Sequence, residues 1–321
     1  MSIYKNAIAS IQIGIEDFGS DDERRVLSAV RNVYAGVLLL GKEVLLKASP
    51  SEIGDVLIRD RIVPKRNANG SISFVGKSDK TIDREEIVKR LRELGIEIDA
   101  KRLTRMAEVR NEIEHQFTAK PAGAVKEAIA DSFMLIRDIL AVHLDQEPSA
   151  ALGAKYWAVL LENHEVIKKE QDECRKTLAA IEWDSPTLAH AVSKFRCPAC
   201  TSSLIKQVDA ENAEKMHAEF VCGACGEMID GGTLIEHALG EHFFADMYLA
   251  MTDGGEPPVV TCPECGHDTY VLEEGKCVYC DFGIQGAECA VCGESISVED
   301  YAYNSTLCSY HAWAASKAGR D

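Results

Sequence analysis

Eleven of the twelve cysteines of this 321-residue chain lie between Cys197 and Cys308. Ten of them form five C-x2-C pairs, and the eleventh, Cys308, stands at the same spacing before His311. A short C-x2-C loop lets two thiolates reach one tetrahedral ion, which is typical of zinc sites. A disulfide framework of the kind found in small secreted domains is the competing interpretation. We therefore expect metal binding in the last third of the chain.

Joining neighbouring pairs in chain order gives three sites of four ligands, each expected to hold a structural Zn²⁺. The ligands are Cys197, Cys200, Cys222 and Cys225 in the first site, Cys262, Cys265, Cys277 and Cys280 in the second, and Cys289, Cys292, Cys308 and His311 in the third. The spacing of the second set resembles rubredoxin-type and zinc-ribbon knuckles. A cross-braced grouping of the last two sets is the alternative. Because no site has an obviously open coordination position, we expect no catalytic metal.

Three other residues have metal-binding side chains but a less suitable context. Cys174 lies in a charged segment with a helical pattern, and we interpret it as an ordinary thiol. His237 and His242 lie in EHALGEH, and twelve ligand positions are already filled without them. We expect both histidines to be ordinary helix residues.

The stretch VRNEIEHQF, residues 109–117, places an Arg, an Asn, two Glu and a His within six positions. The apolar residues that recur at helical spacing here are Leu103, Met106, Val109, Ile113 and Phe117. They predict an amphipathic helix with these five residues as its core stripe. Arg110 falls at the edge of that stripe and forms an i,i+4 pair with Glu114. By geometry alone, this is a solvated helix face carrying an ion pair.

The residue types in this helix suggest more than a solvated face. Arg110-Asn111, three residues and His115 together resemble the R-x4-6-H signature of HEPN domains, in the common form R-N-x-x-x-H. HEPN domains are helical bundles with this motif near the start of a late helix. The resemblance covers residues 20–145, including the lead-in KTIDREEIVKRLRELGIEID, and excludes the cysteine-rich region.

The resemblance implies ribonuclease chemistry without a metal. Arg110 would hold the scissile phosphate and stabilise its developing charge, as a guanidinium fork does well. His115, which titrates near neutral pH, would transfer protons, and Asn111 would orient His115 or the phosphate. The nucleophile would be the RNA 2′-OH, and the product would be a 2′,3′-cyclic phosphate. The resemblance also implies a toxin or phage-defence role, with RNA, tRNA included, as substrate.

One helix cannot place Arg110 beside His115, because five residues at 100° each leave them about 140° apart. Two copies of the helix that meet across a two-fold axis would bring both residues into one cleft. We therefore expect a homodimer through the helical domain, as the family commonly forms. Many HEPN domains have lost activity, so a catalytically inactive adaptor that binds protein partners is the alternative function.

The net charge of −17 is unevenly distributed along the chain. Residues 57–110 carry 14 Lys and Arg against 9 Asp and Glu, whereas residues 195–321 carry 6 against 21. An acidic tail is a poor ligand for phosphates, which argues against DNA binding by the zinc modules. It suits recognition of a protein partner, or restraint of the nuclease. The basic residues that we expect to contact RNA are Lys89, Arg90, Arg92, Lys101, Arg102 and Arg105.

The sequence predicts a mainly α fold, an N-terminal HEPN-like helical bundle followed by small zinc-ribbon or knuckle modules. Asp83 with Glu86 resembles a capping box, and Asn69-Gly70 predicts a loop or short hairpin within residues 59–80. One helix is expected from about Ser149 to Trp183, and Ser185-Pro186 predicts the start of the next. The expected boundaries are 1–148 for the helical domain, 149–195 for a helical extension, 196–232 for the first zinc module, 233–260 for a helical linker, and 261–284 and 285–321 for the second and third modules. The start of the chain lacks the pattern of a signal peptide, and the most apolar run, residues 26–46, contains charges. We therefore expect a cytoplasmic protein without a membrane span.

Overall fold

The computed structural model describes residues 2–20, 22–50, 54–77, 79–115 and 122–318. It divides into two compact units, Met1–Lys169 and Glu170–Asp321. Both are built mainly from helices, with three small antiparallel sheets, so the mainly α prediction is confirmed. Residues 170–195, which the sequence analysis assigns to a helical extension, belong to the second unit. No helix among the described residues is both long and apolar enough to cross a membrane.

The first unit contains six helices and one hairpin in its described part, and the long helix α7 passes from this unit into the second. The elements are α1 (Ile3–Phe18), α2 (Glu23–Ala48), β1 (Ile62–Arg66), β2 (Ile72–Gly76), α3 (Arg84–Glu93), α4 (Ala100–His115), α5 (Ala122–Asp138), α6 (Pro148–Leu152) and α7 (Ala154–Leu178). As predicted, the Asp83 side chain caps α3 by accepting the N–H of Glu86. The hairpin turns at Gly70, whose φ is 85°.

The structure corrects one predicted helix. Residues 149–183 were expected to form one continuous helix, but α6 ends at Leu152, and α7 begins at Ala154 and ends at Leu178. Gly153 between them has a φ of 93°, which only glycine adopts without strain and which interrupts the helical hydrogen bonds. The predicted helix start at Ser185-Pro186 is confirmed, because the Ser185 side chain caps the next helix.

Helices α1 and α2 form the closest helix pair of the first unit, and two glycines allow their approach. A Cβ added at Gly36 would meet Ile11 Cγ1 and would lie 2.9 Å from the Ala7 carbonyl oxygen. A Cβ at Gly14 would lie 2.6 Å from Val33 Cγ2. Since part of each contact is with the partner helix's backbone, the two helices would have to separate to admit a methyl group.

We therefore expect Gly36→Ala to lower the free energy of unfolding of the first unit by about 1–3 kcal/mol, as overpacking does. The better helix propensity of alanine would offset up to about 1 kcal/mol of this loss. Gly240→Ala is the matched control, because a Cβ at this helical glycine would meet nothing within 4 Å. Urea denaturation followed by circular dichroism measures both. A Gly36→Ala protein as stable as its parent would contradict the close helix approach.

The second unit combines short helices with two three-stranded antiparallel sheets. Its elements are α8 (Pro186–Ala191), β3 (Ile205–Gln207), β4 (Glu219–Cys222), β5 (Met228–Asp230), α9 (Gly231–His242), α10 (Phe244–Asp253), β6 (Val259–Val260), β7 (Tyr270–Val271), β8 (Lys276–Cys277), α11 (Val298–Tyr303) and α12 (Ser309–Ala318). The sheets have the orders β3-β4-β5 and β6-β7-β8. Cys222 and Cys225 lie at the connection of β4 to β5, and Cys262 and Cys265 lie between β6 and β7.

Polar and apolar contacts join the three cysteine-rich segments of the second unit. The Lys215 ammonium is buried between the segments of the first and second sites and lies 2.7 Å from the Asp281 carboxylate. Glu274 accepts hydrogen bonds from the Ser185 hydroxyl and the Thr187 N–H at the start of α8. Val298 of the third segment packs against the buried residues of the second. These contacts make the three segments one folded body.

Candidate metal centres and the Arg110 helix

The structure gathers twelve side chains into three groups whose ligand atoms lie within 4.8 Å of one another. The groups are Cys197, Cys200, Cys222 and Cys225; Cys262, Cys265, Cys277 and Cys280; and Cys289, Cys292, Cys308 and His311. Their members are those of the three sets that follow from chain order. In the described part of the chain, no group mixes the second and third sets, as a cross-braced arrangement would.

The distances between ligand atoms fit a tetrahedral metal ion. Metal–sulfur bonds of about 2.3 Å in tetrahedral geometry hold two sulfurs about 3.8 Å apart. The Sγ–Sγ distances are 3.6 Å for Cys200–Cys222 and 3.7 Å for Cys262–Cys280, and the Cys289 Sγ lies 3.5 Å from His311 Nδ1. A disulfide would require about 2.05 Å between sulfurs. The competing disulfide interpretation therefore fails for these pairs, and all three groups are suited to bind metal.

The same backbone turn follows each of the five C-x2-C pairs. The residue after the second cysteine has a left-handed conformation, with φ of 62° at Thr201, 77° at Gly226, 78° at Gly266, 58° at Asp281 and 75° at Gly293. Its N–H donates to the carbonyl of the first cysteine over 2.8–3.0 Å. The N–H of the first cysteine donates in return to the carbonyl of the residue that follows the left-handed one, over 2.7–2.9 Å. The turn aims both sulfurs to one side before any metal is added.

In each group the pKa of one cysteine is lowered, which favours the metal-binding thiolate, and the pKa of at least one other cysteine is raised. The pKa of Cys222 is lowered to about 5, chiefly because the Cys200 thiol donates a hydrogen bond to its sulfur. The pKa of Cys200 is raised by the same interaction and by burial. The pKa of Cys289 is lowered to about 6, chiefly by the backbone N–H of Cys308. A bound cation would stabilise the remaining thiolates in the same way.

The three residues excluded on sequence grounds lie outside these groups. Cys174 is buried in α7, and its sulfur belongs to none of the groups that the described residues form. His237 and His242 lie on α9 and also belong to none. Burial lowers the pKa of His242, and no acidic neighbour is strong enough to reverse this shift.

Helix α4 carries the RNEIEH motif, and its buried residues fix how it faces. Leu103, Met106, Val109 and Ile113 are all buried in the core of the first unit, as the predicted stripe requires. Phe117 lies outside the described residues, and so does the side chain of His115, whose backbone forms the last residue of α4. Asn111 is exposed, and the Arg110 side chain retains 35% of its accessibility.

Arg110 belongs to a small surface network of charges. Its guanidinium lies 2.6 Å from the Glu114 carboxylate and donates to Asn111 Oδ1 over 2.9 Å. The Arg31 guanidinium lies 3.6 Å from Glu114, so two cations share one anion. Among the described residues, two of the five N–H groups of Arg110 have partners, Glu114 and Asn111. The predicted Arg110–Glu114 pair is present, and the network keeps a net positive charge.

Charges of this network and of α3 act on Tyr34 of α2. Burial raises the pKa of the half-buried Tyr34 hydroxyl, and the charge of Asp83 raises it further, whereas the charges of Arg84 and Arg110 act in the opposite direction.

Three of the six predicted RNA-contacting residues have structural partners instead. The Arg90 side chain is 13% exposed, pairs with Glu86 and donates to the carbonyl oxygens of Leu57 and Arg59. Arg90 therefore supports the base of the hairpin rather than presenting a free charge.

Arg102 and Arg105 both bind Asp131 of α5. The distances from their guanidinium nitrogens to the carboxylate are 2.7 Å and 2.9 Å, and the Asp131 side chain is only 11% exposed. Burial acts to lower the pKa of Arg105, but its hydrogen bond to Asp131 raises the pKa overall. Both arginines therefore join α4 to α5. The other three predicted residues, Lys89, Arg92 and Lys101, are exposed.

The hairpin carries basic residues that the predicted RNA surface does not include. Arg61, Lys65, Arg66 and Lys77 are all exposed, and among the residues that the structure describes none of them forms an ion pair. The signal is present in the sequence, because residues 61–77 contain these four cations and no Asp or Glu.

Comparisons with known proteins do not add to this description. Comparison with models of protein families, with curated proteins and with solved structures finds no match to this chain. Its function must therefore be inferred from the two sites themselves, the metal-binding groups and the Arg110 helix.

Proposed function

We propose that this protein is a metal-independent endoribonuclease of the HEPN type, with zinc-bearing modules that stabilise its second unit and recognise a partner. The observation that carries the proposal is the RNEIEH motif on an exposed edge of α4, in a helical unit. A partly exposed guanidinium, an exposed amide and a histidine within six residues supply what phosphate binding and proton transfer require.

The reaction needs no group beyond these residues, water and the RNA. The ribose 2′-oxygen attacks the adjacent phosphorus, and the bond from phosphorus to the 5′-oxygen of the next nucleotide breaks. His115 accepts the 2′-hydroxyl proton or protonates the leaving 5′-oxygen, and water carries the other proton. Arg110 stabilises the charge that develops on the phosphoryl oxygens. The products carry a 2′,3′-cyclic phosphate and a 5′-hydroxyl.

The site is completed by a second copy of the chain. On one α4 helix, Arg110 and His115 point about 140° apart, so they cannot hold the same phosphate. An isologous contact between two α4 helices places the Arg110 of one copy near the His115 of the other. A homodimer through the first unit is therefore part of the proposed function.

Zinc is the metal that the three cysteine groups fit best. Four soft ligands in tetrahedral arrangement, three of them thiolates and one imidazole in the third group, favour Zn²⁺. With four protein ligands at each centre, the ion has a structural role. The proposed chemistry on RNA is then unaffected by chelators that do not unfold the first unit.

The experiment is incubation of total RNA and of tRNA with purified protein in EDTA, beside His115→Ala of equal fold and zinc content. We expect cleavage by the native protein, and a loss of about 10²–10⁴-fold in the variant, the usual contribution of acid–base catalysis. The product ends should be 2′,3′-cyclic phosphates. Native protein that leaves both RNAs intact, or equal cleavage by the variant, would contradict the proposal.

A second function, a non-enzymatic adaptor, is favoured by helix α10. None of the ten residues of α10, all in the described part of the chain, is buried. Its exposed apolar side chains are Phe244, Tyr248, Leu249 and Met251. An apolar helix face of this kind commonly marks a protein interface. The adaptor function predicts that Arg110→Ala and His115→Ala leave the biological effect intact while changes in α10 abolish it.

A further inference from the structure

We infer that the β1–β2 hairpin is the surface that holds single-stranded RNA. The inference extends the proposed ribonuclease by assigning its substrate-binding element, and it rests on that function for the choice of RNA. The two observations that carry it are an exposed, largely apolar face on the hairpin and four hairpin cations that form no ion pair with the described residues.

One face of the hairpin is entirely open. The strand register places Pro64 opposite Phe74 and Arg66 opposite Ile72. Because side chains alternate along a strand, Ile62 shares their face, and we call these five residues the ribbon face. Ile72 is 62% exposed and Phe74 52% exposed, and no residue of the ribbon face belongs to the core of the first unit.

If the ribbon face contributed to folding, it would be buried. The hairpin instead holds its shape through its turn, where the Asn67 N–H donates to the Ser71 carbonyl over 2.8 Å and the Ser73 hydroxyl donates to Asn67 Oδ1 over 3.0 Å. At the other end, Arg90 binds the carbonyl oxygens of Leu57 and Arg59. The ribbon face therefore adds nothing to the buried core of the first unit.

The charge of the hairpin favours a polyanion as the occupant of the ribbon face. Arg61, Lys65, Arg66 and Lys77 give residues 61–77 a charge of +4, in a chain whose net charge is −17. By the alternation along the strands, Arg66 lies on the ribbon face with Phe74, and the other three cations lie on the opposite face of the same hairpin. An exposed aromatic ring and several cations on one small element are what proteins use to stack unpaired bases and to hold the phosphate backbone.

The strand must be single, because a base stacks on Phe74 only when it is free of its own helix. Duplex RNA would present a groove and phosphates but no open base face. The tip adds hydrogen-bonding side chains, Asn69 and Ser71, which suit base edges or the ribose 2′-hydroxyl.

The hairpin is joined directly to the start of α3. Its second strand returns to the body at Ile82, whose N–H donates to the Ile58 carbonyl over 3.0 Å, and α3 begins two residues later.

The test measures binding without cleavage, by fluorescence anisotropy of a labelled single-stranded RNA in the full-length, metal-bound His115→Ala protein. We expect Phe74→Ala to weaken binding about fivefold to 150-fold, the usual contribution of one stacked base. Lys65→Ala with Arg66→Ala should lower the slope of log K against log salt by about 1.4, for two lost phosphate contacts on a single strand. The charge-matched control, Lys5→Ala with Lys47→Ala, removes two exposed lysines of α1 and α2 and should leave the slope unchanged.

Several results would overturn the inference. One is RNA binding that is unchanged in both hairpin variants. Another is binding that is lost only when Lys89, Arg92 and Lys101 are changed. A third is tighter binding of duplex DNA or of an acidic protein than of the RNA. Because cleavage plays no part, this test separates the two proposals. A protein that cuts RNA but ignores the hairpin changes refutes the ribbon face alone. One that binds through the hairpin but never cuts refutes the ribonuclease alone.

Discussion

Purified protein should contain three zinc ions per chain, and their removal should unfold the second unit while the first stays folded. The buried residues around the third centre are Cys289, Ile296 and Cys308, so two of the three are ligands. Around the second centre, Cys262 and Cys277 are buried with only Tyr270 and Val298. Such small cores cannot offset the conformational entropy of their loops without the metal. Structural zinc supplies about 10–16 kcal/mol in comparable small modules.

A single ligand change should show the same dependence. Cys262→Ser should leave two zinc ions per chain and should destabilise the third segment as well, because Val298 packs against the second centre. The matched control is Cys174→Ser, which changes a buried cysteine outside the three groups and should keep three ions. Elemental analysis and urea denaturation of both proteins measure the effect. Three zinc ions in Cys262→Ser, or iron in place of zinc in the native protein, would contradict the assignment.

Local sequence signals predicted the parts of the structure that depend on neighbouring residues. The C-x2-C pairs and their in-order grouping follow from the reach of two thiolates on a short turn. The caps at Asp83 and Ser185 were visible because a capping side chain bonds to a backbone N–H three residues away. The core stripe of α4 followed from its period of 3.6 residues.

The sequence could not show which charges would find partners far along the chain. Asp131 binds Arg102 and Arg105, 29 and 26 residues away, and this pairing depends on how α4 packs on α5. Arg90 looked like a surface cation on α3 but bonds to carbonyl oxygens more than 30 residues away. Three of the six residues in the predicted RNA surface therefore have their charges engaged within the fold.

The turn at Asn69-Gly70 was predicted, but the other left-handed backbone positions were not. Thr201 and Asp281 adopt the left-handed conformation that glycine has after the other C-x2-C pairs. At Asp281 the carboxylate also binds Lys215, a contact between two zinc-binding segments that local spacing cannot reveal. Gly153 marks the break between α6 and α7, but the helical pattern around it led to the prediction of one continuous helix.

Two inactive variants should restore RNA cleavage when they are combined in one dimer. Arg110→Ala removes the phosphate ligand and His115→Ala removes the proton-transfer group, and each homodimer should lose cleavage by about 10²–10⁴-fold. In a heterodimer, one cleft keeps the Arg110 of one chain and the His115 of the other. Since an isologous interface contains two such pairs, about half of the native rate should return.

The measurement that tests this account most directly is therefore cleavage by the heterodimer, co-expressed with two different tags and purified through both. Its controls are the two variant homodimers and the native protein from the same preparation. The account predicts cleavage with 2′,3′-cyclic phosphate ends by the heterodimer and the native protein only. A heterodimer as inactive as either homodimer, beside an active native protein, would contradict a site shared between two α4 helices.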